Sequence, residues 1–528
     1  MTAIIMALSI VPITSHAQLS SIENDDGKII YYYVASEEEK TCIIFTDINS
    51  LNGNDAYFSE VINIPEYANG YKVTGISANA FHGCYAKKVI IPNTVTHIDD
   101  YAFAVSNNLE SVTIGNSLES IGDMAFMNCP NLKEITLPNS LTKIGANAFD
   151  RCSSLESASL GNSVEYIGSM AFWGCEKLKS INIPDKIKNI GKQTFNGCES
   201  LESLIIPNSV TSIGEYAFAY CTNLATVSIP NSVTEIYYNS FEGCDNIKSL
   251  EIDMENIGAW FCSKESLQEL TLGDNVKVVG EFAFDYCSGL KSIHFGNSIT
   301  RIEQQAFSYC NMLESVELHE PLTEIGQGAF IECLNLTSVT IPKTVTSIGS
   351  YAFAAGTRKP LNITSYITEV FETGEYAFFV DNGDYSNITL YVPYGLSETY
   401  RSTEAWNSIP NIVEMEPASV PMQIACNSKG SVTINNKTEF TKSIGTVDIF
   451  ENCESTFAFT PKPNCRLDQV ILNGLDITAN VENNTLTCTI PANSQMIVTF
   501  TTEQGDLNND GTLDISDVVT IVNKILGN

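Results

Sequence analysis

A phenylalanine recurs along most of this chain at nearly constant spacing, and no other feature restricts the fold as strongly. The step is 23 residues, except for 22 at the start, 20 between Phe241 and Phe261, and 25 at the end. The repeated residues are Phe81, Phe103, Phe126, Phe149, Phe172, Phe195, Phe218, Phe241, Phe261, Phe284, Phe307, Phe330, Phe353 and Phe378. A unit this short cannot bury its own apolar face and must stack on its neighbours. The repeat therefore predicts a solenoid.

One unit shows how such a chain would fold. In the stretch "LKEITLP" (132–138), Ile135 and Leu137 alternate with polar residues, which predicts a short strand with one buried face. Pro138 ends the strand because it lacks the N–H that the next ladder hydrogen bond needs. The stretch "ANAFDRC" (146–152) predicts a short helical turn on the opposite side. Units stacked in register would form a parallel β-sheet along one face.

The consensus L-x-x-I/V-x-I/L-P-x-S-V-x-x-I-G-x-x-A-F-x-x-C resembles the BspA-like class of bacterial leucine-rich repeats over about residues 60–416. This resemblance implies a leucine-rich-repeat solenoid with an α/β-type, mostly β repeat and a parallel sheet on one face. It also implies a secreted or cell-surface protein, because families of this kind occur there and some members are adhesins toward host proteins or other cells. The family does not define one ligand.

Shifts in pattern divide the chain into six segments. Residues 388–415 are similar to the strand–helix–strand unit that closes arrays of this family. After Pro417 the repeat stops, and alternating apolar and polar residues between turn residues predict a small β-sandwich-like module. The predicted segments are 1–17, a signal peptide; 18–60, an N-terminal β-hairpin cap; 61–387, the solenoid; 388–416, its C-terminal cap; 417–502, the β module; and 503–528, a dockerin-like calcium-binding half-repeat.

The first residues predict export. An apolar run from Ala3 to Ile13 precedes Ser15-His16-Ala17, a small-x-small pattern for cleavage. About eleven apolar residues are too few to span a bilayer, so the run indicates a secretory signal peptide. Because no Lys or Arg precedes this run, we expect the natural start to lie upstream of Met1. No later stretch approaches the length of a transmembrane span.

The net charge of the chain restricts the classes of partner that it can bind. With 62 acidic against 28 basic residues, the formal net charge is −34. Such a surface disfavours nucleic acid and anionic membranes. It suits a soluble extracellular protein and the binding of calcium. We therefore expect extracellular or cell-surface proteins as partners.

The C-terminal stretch "GDLNNDGTLDISDVVTIVNKILGN" (505–528) carries the one specific chemical motif. Oxygen-bearing residues occupy positions 1, 3, 5, 7, 9 and 12 of a calcium loop, and Gly511 at position 6 permits the sharp turn. The predicted ligands of one Ca²⁺ ion are Asp506, Asn508, Asp510, Thr512 through its backbone carbonyl, Asp514 and Asp517.

Aspartate at loop position 12 and the lack of a preceding helix make this motif resemble a dockerin repeat. The resemblance implies docking to a cohesin-like domain through loop positions 10 and 11, here Ile515 and Ser516. Dockerins pair two repeats, whereas this sequence contains one. Two alternatives therefore stay open, a calcium-stiffened tail that packs on the β module and a truncated gene.

Ten of the sixteen cysteines follow a repeat phenylalanine by three residues. Neighbouring units lie about 4.8 Å apart, a distance that does not exclude disulfides. Pairing along the ladder would leave thiols over, because Ser106 takes the position after Cys84 and the run Cys287, Cys310, Cys333 is odd. We therefore predict buried small apolar side chains instead of cross-links. No cluster of Cys or His has the spacing of a zinc site.

The chain lacks the motifs of an enzyme, since it contains no G-x-S-x-G, H-E-x-x-H or P-loop. Outward strand positions form polar columns without the aromatic side chains that anchor interfaces. Aromatic residues instead lie near the predicted helical turns on either side of the irregular unit 251–270. The candidate partner contacts are Trp173, Tyr220, Tyr237, Tyr238, Tyr286 and Tyr309. Exposed tyrosines without a ligand are the alternative.

These features favour a secreted or cell-surface, non-enzymatic recognition or adhesion protein. It would bind proteins through its repeat array and attach through its calcium-binding tail. A second hypothesis is a structural subunit of an extracellular cohesin–dockerin-type assembly, in which the solenoid is a spacer. A third is a dockerin-delivered enzyme acting on polysaccharide, for which the sequence offers no carboxylate-lined domain.

Overall fold

The computed structural model describes residues 19–46, 55–237, 239–354, 359–379, 385–416, 419–427, 429–435, 438–440, 445–450, 454–463, 465–489 and 494–502. The predicted signal peptide and the predicted calcium-binding tail lie outside these residues. The chain divides into two compact units. The first extends to Val413, and the second contains the residues from Glu414 onward together with Pro393–Gly395.

The first unit is a mostly β, parallel solenoid of about 15 turns, as the repeat predicts. A typical turn has two strands. The first strand follows the repeat leucine and pairs in parallel with its counterparts in adjacent turns, and these strands are called the first face; Glu134–Thr136, for example, lies opposite Ser157–Ser159. The strands of the first face are Val61–Asn63, Lys88–Ile91, Ser111–Ile114, Glu134–Thr136, Ser157–Ser159, Ser180–Ile181, Ser203–Ile205, Thr226–Ile229, Ser249–Ile252, Glu269–Leu272, Ser292–His294, Ser315–Glu317, Ser338–Ile341, Leu361–Ser365, Ile388–Val392 and Asn411–Glu414.

A shorter strand after the next corner forms the second face. Its last residue is an isoleucine or valine whose side chain is buried in the array, as Ile144 is. In most turns a glycine follows this strand and lets adjacent turns approach closely, because a Cβ at Gly145 would lie 2.5 Å from the carbonyl carbon of Gly122. The strands of the second face are Tyr71–Ile76, His97–Ile98, Ser120–Ile121, Lys143–Ile144, Tyr166–Ile167, Asn189–Ile190, Ser212–Ile213, Glu235–Ile236, Asn256–Ile257, Val278–Val279, Arg301–Ile302, Glu324–Ile325 and Ser347–Ile348.

The prediction of a helical turn after the second face is wrong. The segment around each repeat phenylalanine, called the turn edge, consists of consecutive turns, and between the first and last repeat phenylalanines of the described chain the only helical segment is the 3-10 turn Ala259–Phe261. Residues two before and two after the phenylalanine have positive φ in most units, as Asn147 (55°) and Arg151 (57°) do. Left-handed residues at this spacing prevent a continuous helix. The backbone bonds to the next turn instead, with the N–H of Phe126 donating to the carbonyl of Ala148 at 2.8 Å.

The repeat phenylalanines stack into one interior ladder. From Phe81 to Phe241, consecutive ring centroids lie 5.2–5.6 Å apart and ring planes differ by at most 13°. The 20-residue step disturbs this ladder, because the rings of Phe241 and Phe261 are tilted by 35° and those of Phe261 and Phe284 are 6.5 Å apart. The first face continues through this unit, whereas the second face is interrupted before Asn256–Ile257.

Non-repeating elements cover the N-terminal end of the array. The strands Leu19–Glu23, Ile29–Ser36 and Thr41–Phe45 form an antiparallel meander, and the last of them pairs in parallel with Tyr71–Ile76. This meander therefore extends the second face. The remaining elements at this end are the 3-10 turn Ala56–Phe58 and the strand Tyr67–Ala68.

A buried tryptophan covers the other end of the phenylalanine ladder. The ring of Trp406 lies 4.7 Å from that of Phe378, between centroids, and its Nε1 donates to the carbonyl of Phe371 at 3.0 Å. Tyr400, also buried, donates from its hydroxyl to the carbonyl of Ile367 at 2.9 Å. The elements that place these rings are the 3-10 turn Tyr385–Asn387, the helix Ser397–Ser402 and the 3-10 turn Trp406–Ser408.

The second unit contains two β-sheets with an apolar core of its own. Phe457, Phe459 and Phe500 are among its buried side chains. The five-stranded sheet has the order Gly445–Phe450, Ser419–Cys426, Gln495–Thr502, Cys465–Leu472 and Leu475–Asp476. The four-stranded sheet has the order Thr438–Phe440, Gly430–Ile434, Glu454–Pro461 and Thr485–Thr489. A 3-10 turn covers Thr478–Asn480.

Candidate contact surface

The position three residues after the repeat phenylalanine, called the slot, is a packing position. From Cys129 to Cys333, the slot thiols donate to the carbonyl of the phenylalanine in the preceding turn at 3.0–3.5 Å. Ser106 makes the same bond to Phe81 at 3.3 Å. All cysteines in the described residues are free, and those in the slots are buried. The prediction of packing instead of cross-linking is confirmed for this part of the chain.

Burial also makes three of the slot thiols poor nucleophiles. It raises the pKa of Cys198, Cys287 and Cys333 to about 12. The thiolate is the reactive form of cysteine, and at neutral pH these residues hold their protons. These three cysteines therefore contribute to packing and hydrogen bonding in the stack and are not reactive thiolates.

Lys264 replaces cysteine in one slot of the described array. The residue is only 7% exposed. Its Nζ donates to the carbonyl of Phe241 at 3.0 Å and lies 3.8 Å from Oδ1 of Asp245. The ammonium thus makes the hydrogen bond that a thiol makes elsewhere, although removing a charge from water is costly. This substitution falls in the unit with the shortened step.

The first face carries polar columns in the register that the sequence predicts, with Ser157 opposite Ser180. One column alternates in charge from turn to turn, and Nζ of Lys133 lies 2.9 Å from Oε2 of Glu110. The alternating residues are Glu60, Lys87, Glu110, Lys133, Glu156, Lys179 and Glu202. Because neighbouring charges compensate each other, this column offers little net charge to a partner.

A shallow groove interrupts the first face in the middle of the array. The neighbouring strands Ser180–Ile181 and Ser203–Ile205 belong to separate sheets, and the amide of Asn182 bonds at 3.4 Å to the backbone of Leu160. The groove has a volume of about 880 Å³, and Asp185 is the one charged residue that lines it. Ile205 is 75% exposed there. The groove offers both apolar and polar contact.

Two of the predicted aromatic contacts form a single surface on the turn edge. The rings of Tyr286 and Tyr309 stack with centroids 4.4 Å apart and planes within 8°. Tyr286 is 49% exposed. Partial burial raises the pKa of Tyr309, and Tyr286, Glu332 and Asp285 add to this rise. The stack is therefore an exposed aromatic surface with carboxylates beside it.

Tyr220 lies three turns before this stack and is 46% exposed. Its hydroxyl donates to Oε1 of Glu242 at 3.1 Å, and this hydrogen bond raises the pKa of Tyr220. The Tyr220 ring covers Gly243, whose φ is +68°. A Cβ added at Gly243 would lie 2.6 Å from the nearest ring carbon of Tyr220. Tyr237 is 48% exposed at the end of a second-face strand, and Tyr238 lies outside the described residues.

Trp173, another predicted contact, is already covered from within the array. The guanidinium of Arg151 lies 4.7 Å from the centroid of the Trp173 ring. Arg151 comes two residues after Phe149, and Trp173 comes one residue after Phe172 in the next turn. The pair is an internal cation–π interaction, and the ring is only partly exposed.

Sequence reasoning missed three residues of this edge. It did not identify Arg151 as the partner of Trp173, nor Asp285 and Glu332 as neighbours of Tyr309. Each of these residues lies one or two positions after a repeat phenylalanine. Aligning the units on that phenylalanine would have placed them beside the aromatic rings.

The predicted calcium ligands Asp506, Asn508, Asp510, Thr512, Asp514 and Asp517 lie outside the described residues, as do Ile515 and Ser516. Within the part of the chain that the structure describes, no group of three or more His, Cys, Asp or Glu side chains is placed to hold a metal ion. In the same residues, no helix has the length and apolar character needed to cross a membrane.

The two-strand turns and interior ladders define the first unit as a leucine-rich-repeat type of solenoid. The family described as BspA type leucine rich repeat region matches residues 74–202, 142–261 and 255–382, in six copies. These matches together span more than half of the 528 residues. The chain belongs to the BspA-type leucine-rich-repeat family.

Several solved leucine-rich-repeat structures are similar to this chain. A leucine-rich repeat protein from Bacteroides ovatus is 27% identical over 73% of this chain and 98% of its own, with a TM-score of 0.45. A leucine rich cell surface protein from Faecalibacterium prausnitzii is 25% identical over 62% of this chain and 90% of its own, with a TM-score of 0.31. The leucine rich repeat protein of T. pallidum is 30% identical over 37% of this chain and 86% of its own, with a TM-score of 0.33. No curated protein sequence matches the chain.

Proposed function

We propose that this protein is a secreted or cell-surface, non-enzymatic recognition protein whose solenoid binds other proteins by direct contact. The observation that carries the proposal is the exposed Tyr286–Tyr309 stack on the turn edge. Aromatic side chains anchor protein interfaces because they bury large areas with few rotatable bonds. Membership of a leucine-rich-repeat family supports the same function, since such arrays typically bind proteins and are often found at cell surfaces.

The interior of the array explains why its surface suits binding. The phenylalanine ladder and the slot hydrogen bonds hold each turn in fixed register with the next. A partner that contacts several turns therefore finds side chains already ordered, which lowers the entropy lost on binding. The thiols of Cys198, Cys287 and Cys333 keep their protons at neutral pH, which favours contact over catalysis at these positions.

The proposal extends to the C-terminal tail. Residues 506–517 would bind one Ca²⁺ ion, and the tail would attach the protein to a cohesin-like domain or a comparable partner. The alternating spacing of carboxylate, amide and carbonyl oxygens supports this part of the proposal.

Binding of the full chain to a panel of purified extracellular and cell-surface proteins, with a cohesin domain included, tests the proposal. Surface plasmon resonance is recorded in Ca²⁺ and in EGTA, for the wild type and for Asp506→Asn/Asp510→Asn. We expect a panel protein to bind under all four conditions, because the solenoid carries this contact. We expect cohesin binding only by the wild type in Ca²⁺. If no panel protein binds, the recognition function is wrong.

A structural subunit of an extracellular assembly is the second candidate function. The ladders that run through the array favour it, because a stack with a continuous interior makes a stiff spacer. In that case every contact would require Ca²⁺ and both aspartates. The same experiment therefore separates the two functions.

A further inference from the structure

We infer that the Tyr286–Tyr309 stack, with Asp285 and Glu332 beside it, binds an arginine side chain of the partner protein. The inference rests on the proposed function and specifies the chemistry of the partner. It starts from the stacked rings, whose centroids are 4.4 Å apart.

One face of the Tyr286 ring is open to a partner. The other face contacts Tyr309 in the next turn. In the preceding turn the equivalent position is Ser263, whose N–H donates to the carbonyl of Asp285 at 2.7 Å, so the two turns are adjacent. A serine side chain is too short to cover a tyrosine ring, and Tyr286 is accordingly about half exposed.

The array itself shows how a guanidinium fits at this edge. Arg151 and Ser263 hold the same position in their units, two residues after the repeat phenylalanine. From that position the guanidinium of Arg151 covers Trp173 of the next turn at 4.7 Å. Trp173 lies one residue after its phenylalanine and Tyr286 two residues after, so Arg151 shows that this edge accepts a guanidinium on an aromatic ring, and a partner's arginine would stack on Tyr286 in the same manner. Planar guanidinium groups stack on aromatic faces in this way.

Charge complementarity selects a cation and favours arginine. The carboxylates of Asp285 and Glu332 are close enough to Tyr309 to raise its pKa. Glu265 adds an exposed carboxylate in the preceding turn. Lys264, the residue after Ser263, is a cation but is buried and bonded to the Phe241 carbonyl. A guanidinium can stack on a ring and bond a carboxylate through its planar N–H groups at the same time, which a lysine ammonium cannot.

Peptide binding to the full chain tests the inference. The probe is a peptide of about twelve residues that repeats Gly-Ser-Arg, a length of about 40 Å when extended, and the reference peptide has lysine in place of arginine. Isothermal titration calorimetry is run at physiological and at high salt. We expect the arginine peptide to bind more tightly than the lysine peptide. We expect Tyr286→Asn/Tyr309→Asn to weaken the arginine peptide by about tenfold.

The variants are chosen to keep the fold. Asn128 holds the same position as Tyr286 and Tyr309 with a φ of 54°, so asparagine suits this backbone conformation. Tyr166→Asn is the matched control, because Tyr166 is exposed on the second face and the next turn carries Asn189 at that position. This control should bind the arginine peptide as the wild type does.

Two results would overturn the inference. One is equal binding of the arginine peptide by the wild type and the double tyrosine variant. The other is equal affinity for the arginine and lysine peptides, which would indicate unspecific charge attraction. The protein panel separates this failure from that of the proposed function. If a panel protein binds the double variant as tightly as the wild type, the arginine site is wrong and the recognition function stands.

Discussion

Raising the pH should weaken the solenoid through its buried thiols, and Cys198 allows the effect to be measured. Burial raises the pKa of Cys198 to about 12, whereas a thiol in an unfolded chain has a pKa of about 8.5–9. Below this range the thiol is protonated in both states. Between about pH 9 and 12 the unfolded chain loses the proton and the folded chain keeps it. The stability that this thiol provides at neutral pH is therefore lost as the pH rises.

The size of the effect follows from the proton difference. One proton changes the free energy of unfolding by about 1.4 kcal/mol per pH unit. Between pH 8 and pH 10, the unfolded thiol is deprotonated over only about one pH unit, the part of the interval above its pKa. Cys198 should therefore lower the free energy of unfolding of the wild type by about 1.4 kcal/mol over this interval. In Cys198→Ser the slot no longer titrates, and the hydroxyl can donate to Phe172 as Ser106 does to Phe81.

Urea unfolding of the full chain at pH 8 and pH 10, in reductant and followed by circular dichroism, measures this difference. Cys198→Ser should lose about 1.4 kcal/mol less stability than the wild type over the interval. Cys262→Ser is the control and should lose as much as the wild type, because Cys262 is exposed in the folded protein. Equal losses in the wild type and in Cys198→Ser would refute the reasoning, since burial would then not hold the slot thiol in its protonated form.

Substitutions at four further positions test other parts of the stack. Phe149→Ala removes a ring that stacks on two neighbours and should lower the free energy of unfolding by about 3–5 kcal/mol in the urea assay. Phe81→Ala loses one stacked neighbour and should cost about 0.5–1.5 kcal/mol less, so equal costs would argue against ring stacking as the cause. Lys264→Cys restores the cysteine that most slots contain. It should raise the free energy of unfolding by about 1–3 kcal/mol, because a buried charge is removed. A loss of stability would show that the shortened unit requires lysine. Lys133→Glu places like charges in three successive turns and should lower the melting temperature at low salt but not at high salt, with Lys133→Gln as the control. A decrease that is independent of salt would contradict this electrostatic account.

The interior of the solenoid could be predicted from the sequence because each interior position recurs. Phe149, Cys152 and Leu155 are buried, as are their counterparts one period later. A fixed period converts one unit's apolar pattern into a prediction for the whole array. The recurrence also placed the slot cysteines at one interior position. Their number and order did not permit complete pairing, which predicted buried thiols instead of disulfides.

The turn edge could not be predicted in the same way. Asn147, Met170 and Tyr216 share one position and a φ near +56°, although asparagine alone of these residue types favours that conformation. Hydrogen bonds between turns stabilise it, such as the bond from the N–H of Phe172 to the carbonyl of Thr194 at 2.9 Å. These bonds depend on stacking, so no local pattern in a single unit indicates them.

The candidate contact surface was predicted in part. The sequence identified aromatic residues near the irregular unit, and Tyr286 and Tyr309 form a stack there. It did not identify Arg151 as the residue that covers Trp173, because the two residues belong to adjacent turns and the contact shows only when the units are aligned with each other. The calcium loop at 506–517 stays a prediction from the spacing of its oxygen-bearing residues.

The alternating charges on the first face restrict how the number of repeats can change. From Glu60 to Glu202 each turn places the opposite charge beside its neighbour, as in the pair formed by Lys179 and Glu156. Gain or loss of one turn in this stretch would bring two like charges together, whereas gain or loss of two turns would keep every pair. Repeat number should therefore vary by even steps among related chains in this stretch. Beyond Glu202 the next member of the column is Ala225, and the restriction ends there.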